Sequence, residues 1–367
     1  MSGAKKIRFE IETITPMFLA GADQTRAELR AASIKGLLRF WWRALQSESN
    51  LDDLRKKEGR IFGGADEKQG RGSSFSIRQR VIHDGDLKRT TVDLPKHNIS
   101  VTSISKGRTF PVNILEYLAY GPCSYDRTKK RNVIEREYIQ HGFKFTIQMM
   151  IFRERFLNEL LKVIYVFDLF GGIGSRSRNG FGSFSVVNKK KCFSLISSEV
   201  SINNPYTKEN LQEIIKPTDS KSYPSFTKET KVFRTKELYN SWDKALADVG
   251  KIYRGIRSGD IKSNEGKNNV FERKHTYNKR IFIGSPIIVQ KKEKSFLSRH
   301  AKPYFIKIVK EDNQYRAYIL YLPSQYCYGL EEDRNKKRIN YSDVDRRFTE
   351  VCNEFNDFLS QHMKTVL

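Results

Sequence analysis

Two apolar periodicities alternate along the first half of the chain, and their order restricts the fold more than any single motif does. Ile7, Phe9 and Ile11 alternate with charged residues, which is the period of a half-buried strand. In SIKGLLRFWWRAL, residues 33–45, Ile34, Leu37, Leu38, Trp41 and Leu45 recur at helical spacing, with Ser33 placed to cap the N-terminus. Strand-like pieces follow at 74–81 and 98–103, then a strand over 142–152. A helix over 153–170 comes next, with Leu157, Leu160, Leu161, Ile164 and Phe167 on one face, and then a final strand at 182–188. Strand, helix, strands, helix, strand is the order of a ferredoxin-like βαββαβ unit carrying a large insertion between its two helices. The second half repeats the ingredients more loosely. Strands are expected at 281–290, 304–309 and 315–323, with a terminal helix from Asp343 to His362. Residues 203–235 and 255–280 have the composition of loops or mobile insertions. The expected class is α+β, with domains at 1–190 and 191–367.

Composition bears on the partner. Sixty-seven Lys and Arg against 42 Asp and Glu give a formal net charge of +25. Self-repulsion of that size disfavours a compact chain, and a polyanion such as nucleic acid offsets it. No apolar run approaches the roughly 20 residues of a spanning helix. The N-terminus enters an alternating strand pattern at once, without a signal-peptide core, so a cytoplasmic location is expected. Cys123, Cys192, Cys327 and Cys352 are isolated, which argues against zinc and disulfides and fits a reducing compartment.

GGIGSRSRNGFGSFSV, Gly171 to Val186, has the look of a phosphate loop. It is not one for a nucleotide cofactor. A Walker A loop needs a Lys followed by Ser or Thr, and this loop has no lysine. A dinucleotide fingerprint needs a third glycine where Ser177 stands. Both motifs also run strand, loop, helix, whereas here the helix precedes the loop. No cofactor is therefore expected. What remains is a glycine-rich backbone at Gly172, Gly174 and Gly180 with Arg176 and Arg178 as phosphate-pairing forks.

The helix at 33–45 supplies a second basic element. Lys35, Arg39 and Arg43 fall at i, i+4 and i+8 and form one stripe. Gly36 lies beside it and Trp42 on its border, a composition suited to an RNA backbone. Trp41 is mid-face and expected in the core. Gln24 and Arg30 extend the surface upstream. Catalytic groupings are thin. The six histidines are scattered without metal-ligand spacing, His141 reads as structural, and Asp23 reads as a turn former. The run Tyr125–Arg131 is a solvated charge cluster that adds to the electrostatic footprint.

Residues 14–45 (ITPMFLAGADQTRAELRAASIKGLLRFWWRAL) together with 171–184 resemble the RAMP superfamily of CRISPR-associated proteins. Within it they resemble the family of first-numbered subunits of the type III-B (Cmr) RNA-targeting complex. The resemblance implies two tandem ferredoxin-like, RRM-like domains with large loop insertions. It also implies a place in a ribonucleoprotein that carries a CRISPR guide RNA and captures complementary target RNA beside other Cmr subunits. There the subunit would sit toward the 3′ end of the guide, with cleavage left to its neighbours. The family pattern carries over onto Ser33, Lys35, Gly36, Arg39, Trp42 and Arg43, and onto Gly171, Gly172, Gly174, Arg176, Arg178, Gly180 and Gly182. Asn179 departs from it, standing where relatives often carry another basic residue, and Ala31-Ala32 replaces a segment that often contains proline. Two other readings stand beside this one. One is a metal-independent guide-processing ribonuclease using Asp23 or His141; the other is a mainly structural subunit whose aromatic strands dock a neighbour.

Overall fold

A computed structural model describes residues 4–65, 70–81, 89–102, 107–196, 201–219, 222–258, 300–326 and 341–367, with short pieces at 279, 281–284, 288–289 and 292–293. The first half builds strand β1 (Lys5–Thr13), helices α1 (Ala31–Ala44) and α2 (Leu51–Phe62), strands β2 (Phe75–Val81) and β3 (Lys144–Ile151), helix α3 (Leu157–Phe170) and strand β4 (Phe184–Val186). These strands form an antiparallel sheet in the order β4-β1-β3-β2. The β1–β3 register sets Phe9 opposite Ile147 and Ile11 opposite Phe145. Alternation therefore turns one apolar row of each strand toward α1 and α3.

The second half builds β5 (Lys231–Arg234), α4 (Trp242–Ser258), β6 (Tyr304–Glu311), β7 (Gln314–Tyr321), α5 (Tyr341–His362) and β8 (Lys364–Thr365). Its sheet runs β6-β7-β5-β8, again antiparallel. Numbered within each half, both sheets have the spatial order 4-1-3-2, and both halves run strand, helix, strand, strand, helix, strand, α2 being additional in the first.

The cores do not follow the division of the chain. Along β6, Phe305 belongs to the core beneath α1 and α3, while Tyr304, Ile306 and Ile308 belong to a second core with α4 and α5. The second sheet is thus buried on both faces. Helix α3 is buried on nearly its whole circumference, because the first sheet covers one side and β6 approaches the other. The insertion between β2 and β3 carries a hairpin (Asn98–Thr102 with Thr109–Asn113), a short helix (Ile114–Leu118) and a second hairpin (Cys123–Asp126 with Arg131–Ile134). Its helix packs on α4 of the other half, and His97 Nε2 meets Asp243 Oδ2 at 2.7 Å.

Several expectations change here. Residues 203–235, expected to be loop, contain a helix, Lys208–Ile215, besides β5. Thr207 caps it by accepting from the Asn210 N–H, and Leu211, Ile214 and Ile215 anchor it in the first core. Helix α2 was not anticipated. Asn50 caps it and Asp52 and Asp53 occupy its first turn, so its start was legible, but its interior is too charged to show a clear stripe. Of the strand expected at 281–290, Ile281–Ile283 form a 3-10 turn and Ile288–Val289 a short strand. Helix α4 extends to Ser258, into the segment expected as loop; residues 259–278 of that segment lie outside the described residues. Cys123, Cys192 and Cys352 are buried free thiols; Cys327 lies outside the described residues.

Candidate nucleic-acid interface

Helix α1 begins two residues earlier than expected. Arg30, in extended conformation, is its N-cap residue and no side chain caps it, so Ser33 stands in the first turn rather than at the cap. Ser33, Arg30 and Gly36 are exposed. A methyl group added at Gly36 would meet nothing within 4 Å among the described residues, so no packing among them requires a glycine there. Trp41 lies in the core as expected. Trp42 is corrected: it is fully buried, and its Nε1–H donates to Glu159 Oε1 on α3 at 2.6 Å. It leaves the RNA-facing set, because the border of the stripe turns toward a helix that offers an acceptor.

The basic stripe is real but partly answered from within. Lys35 Nζ lies 5.2 Å from the centre of the Phe75 ring, and burial with the nearby Arg39 charge lowers its pKa. Arg39 Nε is 3.2 Å from Glu58 Oε1 on α2, and its guanidinium stands over Phe62. Arg43 grips the same carboxylate through Nε and, at 2.9 Å, through Nη2. Two of three cations therefore share one acid. Upstream, exposed Gln24 donates to the Gly21 carbonyl at 2.9 Å, and Arg30 is 3.9 Å from Glu28. Asp23 accepts from the Thr25 N–H and hydroxyl, the turn-forming role expected of it. His141 packs against Trp242, with ring centres 5.5 Å apart.

The glycine loop holds the halves together. Gly174 has φ +99° and a Cβ there would stand 2.5 Å from the Phe18 carbonyl oxygen. Gly180 has φ +89° and a Cβ there would stand 2.5 Å from Leu246 Cδ1 on α4. Gly172 bridges to Ser183 and is buried. The close approach these glycines allow is to the chain's own backbone and core, which corrects their reading as a bare surface for RNA. Arg178 is corrected likewise. Its Nη1–H donates to the Lys302 carbonyl at 2.5 Å, and its guanidinium lies 4.3 Å from the centre of Phe305 and 5.6 Å from that of Phe40. Burial pushes it down to about 10. Asn179, the departure from the family pattern, donates through Nδ2 to the Leu118 carbonyl at 2.7 Å, a structural use of the position.

Arg176 differs. It is exposed, sits at φ +60°, and among the described residues no carboxylate pairs with it. Behind it stand cations that sequence reasoning missed. Arg257 Nη1–H donates to the Tyr117 hydroxyl at 3.1 Å, and Lys302 Nζ lies 4.0 Å from the centre of Tyr253 with no hydrogen-bond partner among the described residues. Burial, together with the charges of Arg257, Arg178 and Arg176, holds Lys302 well below the ordinary lysine range. No local sequence signal pointed to this corner, because it assembles from the glycine loop, α4 and the approach to β6. What the arrangement offers is cationic side chains at two places: Arg30 and Lys35 on α1, and Arg176 in the glycine loop at the junction of the halves.

The sequence profile of the RAMP superfamily matches residues 10–185, a span that runs from within β1 to within β4 and includes α1 and most of the glycine loop. Over that span, a little under half of the chain, the protein is similar to the RAMP superfamily. The CRISPR system Cmr subunit Cmr1-2 of Pyrococcus furiosus is 29% identical over 187 residues, covering 48% of this chain and 93% of that protein. Subunit Cmr1-1 of the same organism is 26% identical over 273 residues, covering 67% and 70%. Among solved structures, the apo crystal structure of Cmr1 from P. furiosus superposes with TM-score 0.57 at 17% identity, covering 98% of each chain. A chain from the cryo-EM structure of the type III-B Cmr-beta complex bound to cognate target RNA gives TM-score 0.52 at 14% identity, covering 95% of this chain and all of that one. The likeness in fold thus extends beyond the profile match into the second half. Among the described residues no three His, Cys, Asp or Glu side chains gather as a metal ion would require, and no helix is long and apolar enough to cross a membrane.

Proposed function

We propose that this protein is an RNA-binding, non-catalytic subunit of a type III-B CRISPR (Cmr) effector. In this reading two tandem ferredoxin-like domains, 1–190 and 191–367, hold the guide RNA toward its 3′ end together with the paired target, beside other Cmr subunits. The observation that carries it is exposed Arg176, which no carboxylate pairs among the described residues, with Arg30 and half-buried Lys35 on α1, in a chain of net charge +25. The Cmr1 relatives and the strand order shared by both sheets support the same reading. Among the family positions, Ser33, Lys35, Gly36 and Arg176 make the contacts, and Arg30 extends them upstream. Gly172, Gly174, Gly180 and Arg178 shape the loop, and Glu58 limits what Arg39 and Arg43 contribute.

The test is single-stranded RNA binding measured across a salt series. Replacing Arg30, Lys35 and Arg176 by Ala is expected to weaken binding and to flatten the logarithmic salt slope by roughly 0.7 per lost phosphate contact, with the fold retained. Unchanged affinity and slope in this variant would remove the surface from the site. Incubation of the wild-type chain with repeat RNA in EDTA addresses the ribonuclease alternative; discrete cleavage lost in Asp23→Asn or His141→Ala would replace the proposal.

A further inference from the structure

Tyr120 follows the short helix of the β2–β3 insertion and is 73% exposed, more than any other large apolar or aromatic side chain among the described residues. The next residue, Gly121, has φ +112°, and a Cβ there would stand 2.5 Å from Arg176 Nη2. The guanidinium therefore lies directly against the backbone beside Tyr120, and the phenol is close enough to act on its charge. Arg176 holds left-handed φ, a conformation few residues other than glycine adopt. No carboxylate among the described residues occupies its fork. Arg257 and Lys302 stand behind it, also without an acidic partner there. An aromatic face open to solvent beside an unanswered cation is the pairing that takes a base and its phosphate together.

We infer that Tyr120 and Arg176 form a subsite for one unpaired RNA nucleotide, the base stacked on the phenol ring and a phosphate held by the guanidinium. The inference rests on the RNA-binding reading above and extends it to the insertion. Stacking accepts any base, so the subsite carries no sequence preference of its own. A free nucleotide presents the same base and phosphate, and the experiment separates the two sources.

The full chain is titrated against a labelled single-stranded RNA and, separately, against AMP. Tyr120→Ala is expected to weaken RNA binding by about 5- to 100-fold, and Tyr120→Trp to preserve it. Arg176→Gln is expected to lower affinity and to reduce the salt slope by about 0.7. Circular dichroism of each variant confirms that these surface changes leave the fold intact. If the wild-type chain binds RNA and Tyr120→Ala binds equally well, the subsite is wrong while the RNA-binding reading stands. If the wild-type chain binds no RNA, both fall. If only AMP binding responds to Tyr120→Ala, the site belongs to a free nucleotide and the RNA subsite is overturned.

Discussion

Gly36 lies inside a helix, where glycine costs roughly 1 kcal/mol relative to alanine, yet nothing among the described residues occupies the space its missing side chain leaves. A partner that approaches α1 closely would explain the residue. Gly36→Ala is therefore expected to raise thermal stability by about 0.5–1 kcal/mol and at the same time weaken RNA binding; stabilisation with unchanged binding would remove α1 from the contact surface. Glu58 gives a complementary prediction. Its carboxylate holds Arg39 and Arg43, so Glu58→Gln releases both cations. RNA affinity at low salt is expected to rise by up to about fivefold, a gain that fades as salt screens the exposed charges.

Among the elements, the glycine loop shows most clearly what a sequence conceals. The αβ order of the first half, the α1 face and the strand at 304–309 were legible because their apolar periods are long and regular. The destination of Arg178 was not. Its partners, the Lys302 carbonyl and the Phe305 ring, lie far along the chain, and no local period encodes a contact of that separation. Trp42 was misplaced for a related reason: helical spacing puts it on a border, and only the Glu159 acceptor on α3 decides which side. Helix α2 escaped because capping residues announce a helix only when an apolar stripe follows. Since Arg178 clamps the loop to β6, Arg178→Met is expected to cost about 1–3 kcal/mol of unfolding free energy in urea, through the lost cation–π contact and hydrogen bond. An unchanged midpoint would return Arg178 to the list of free phosphate ligands.

At the scale of the whole molecule, the two halves share their cores. Expressed alone, residues 1–190 leave α3 without its β6 cover and are expected to form no folded monomer by size exclusion and NMR. The seam also holds Lys307, 2% exposed, whose Nζ donates to the Gly171 carbonyl at 2.8 Å and stands 4.2 Å from the Phe184 ring centre. Burial draws it down to about 7, against the opposing pull of Asp168. Its unfolded value is near ~10.4, so between these limits the unfolded chain binds more protons than the folded one. Stability therefore rises as pH climbs through that window, by at most about 1.4 kcal/mol per unit, and this contribution is flat below it. Lys302 acts in the same direction. Urea unfolding at several pH values is expected to show the rise in the wild-type chain and a shallower one in Lys307→Met; equal slopes would refute the assignment. The clamp between Arg178 and Lys302 spans 124 residues of chain. At about 5–20 residues per second, a ribosome takes roughly 6–25 s to deliver the second partner after the first. The loop is consequently finished only after residue 302 has been made, and on the proposed function a nascent chain meets cellular RNA before that surface is complete.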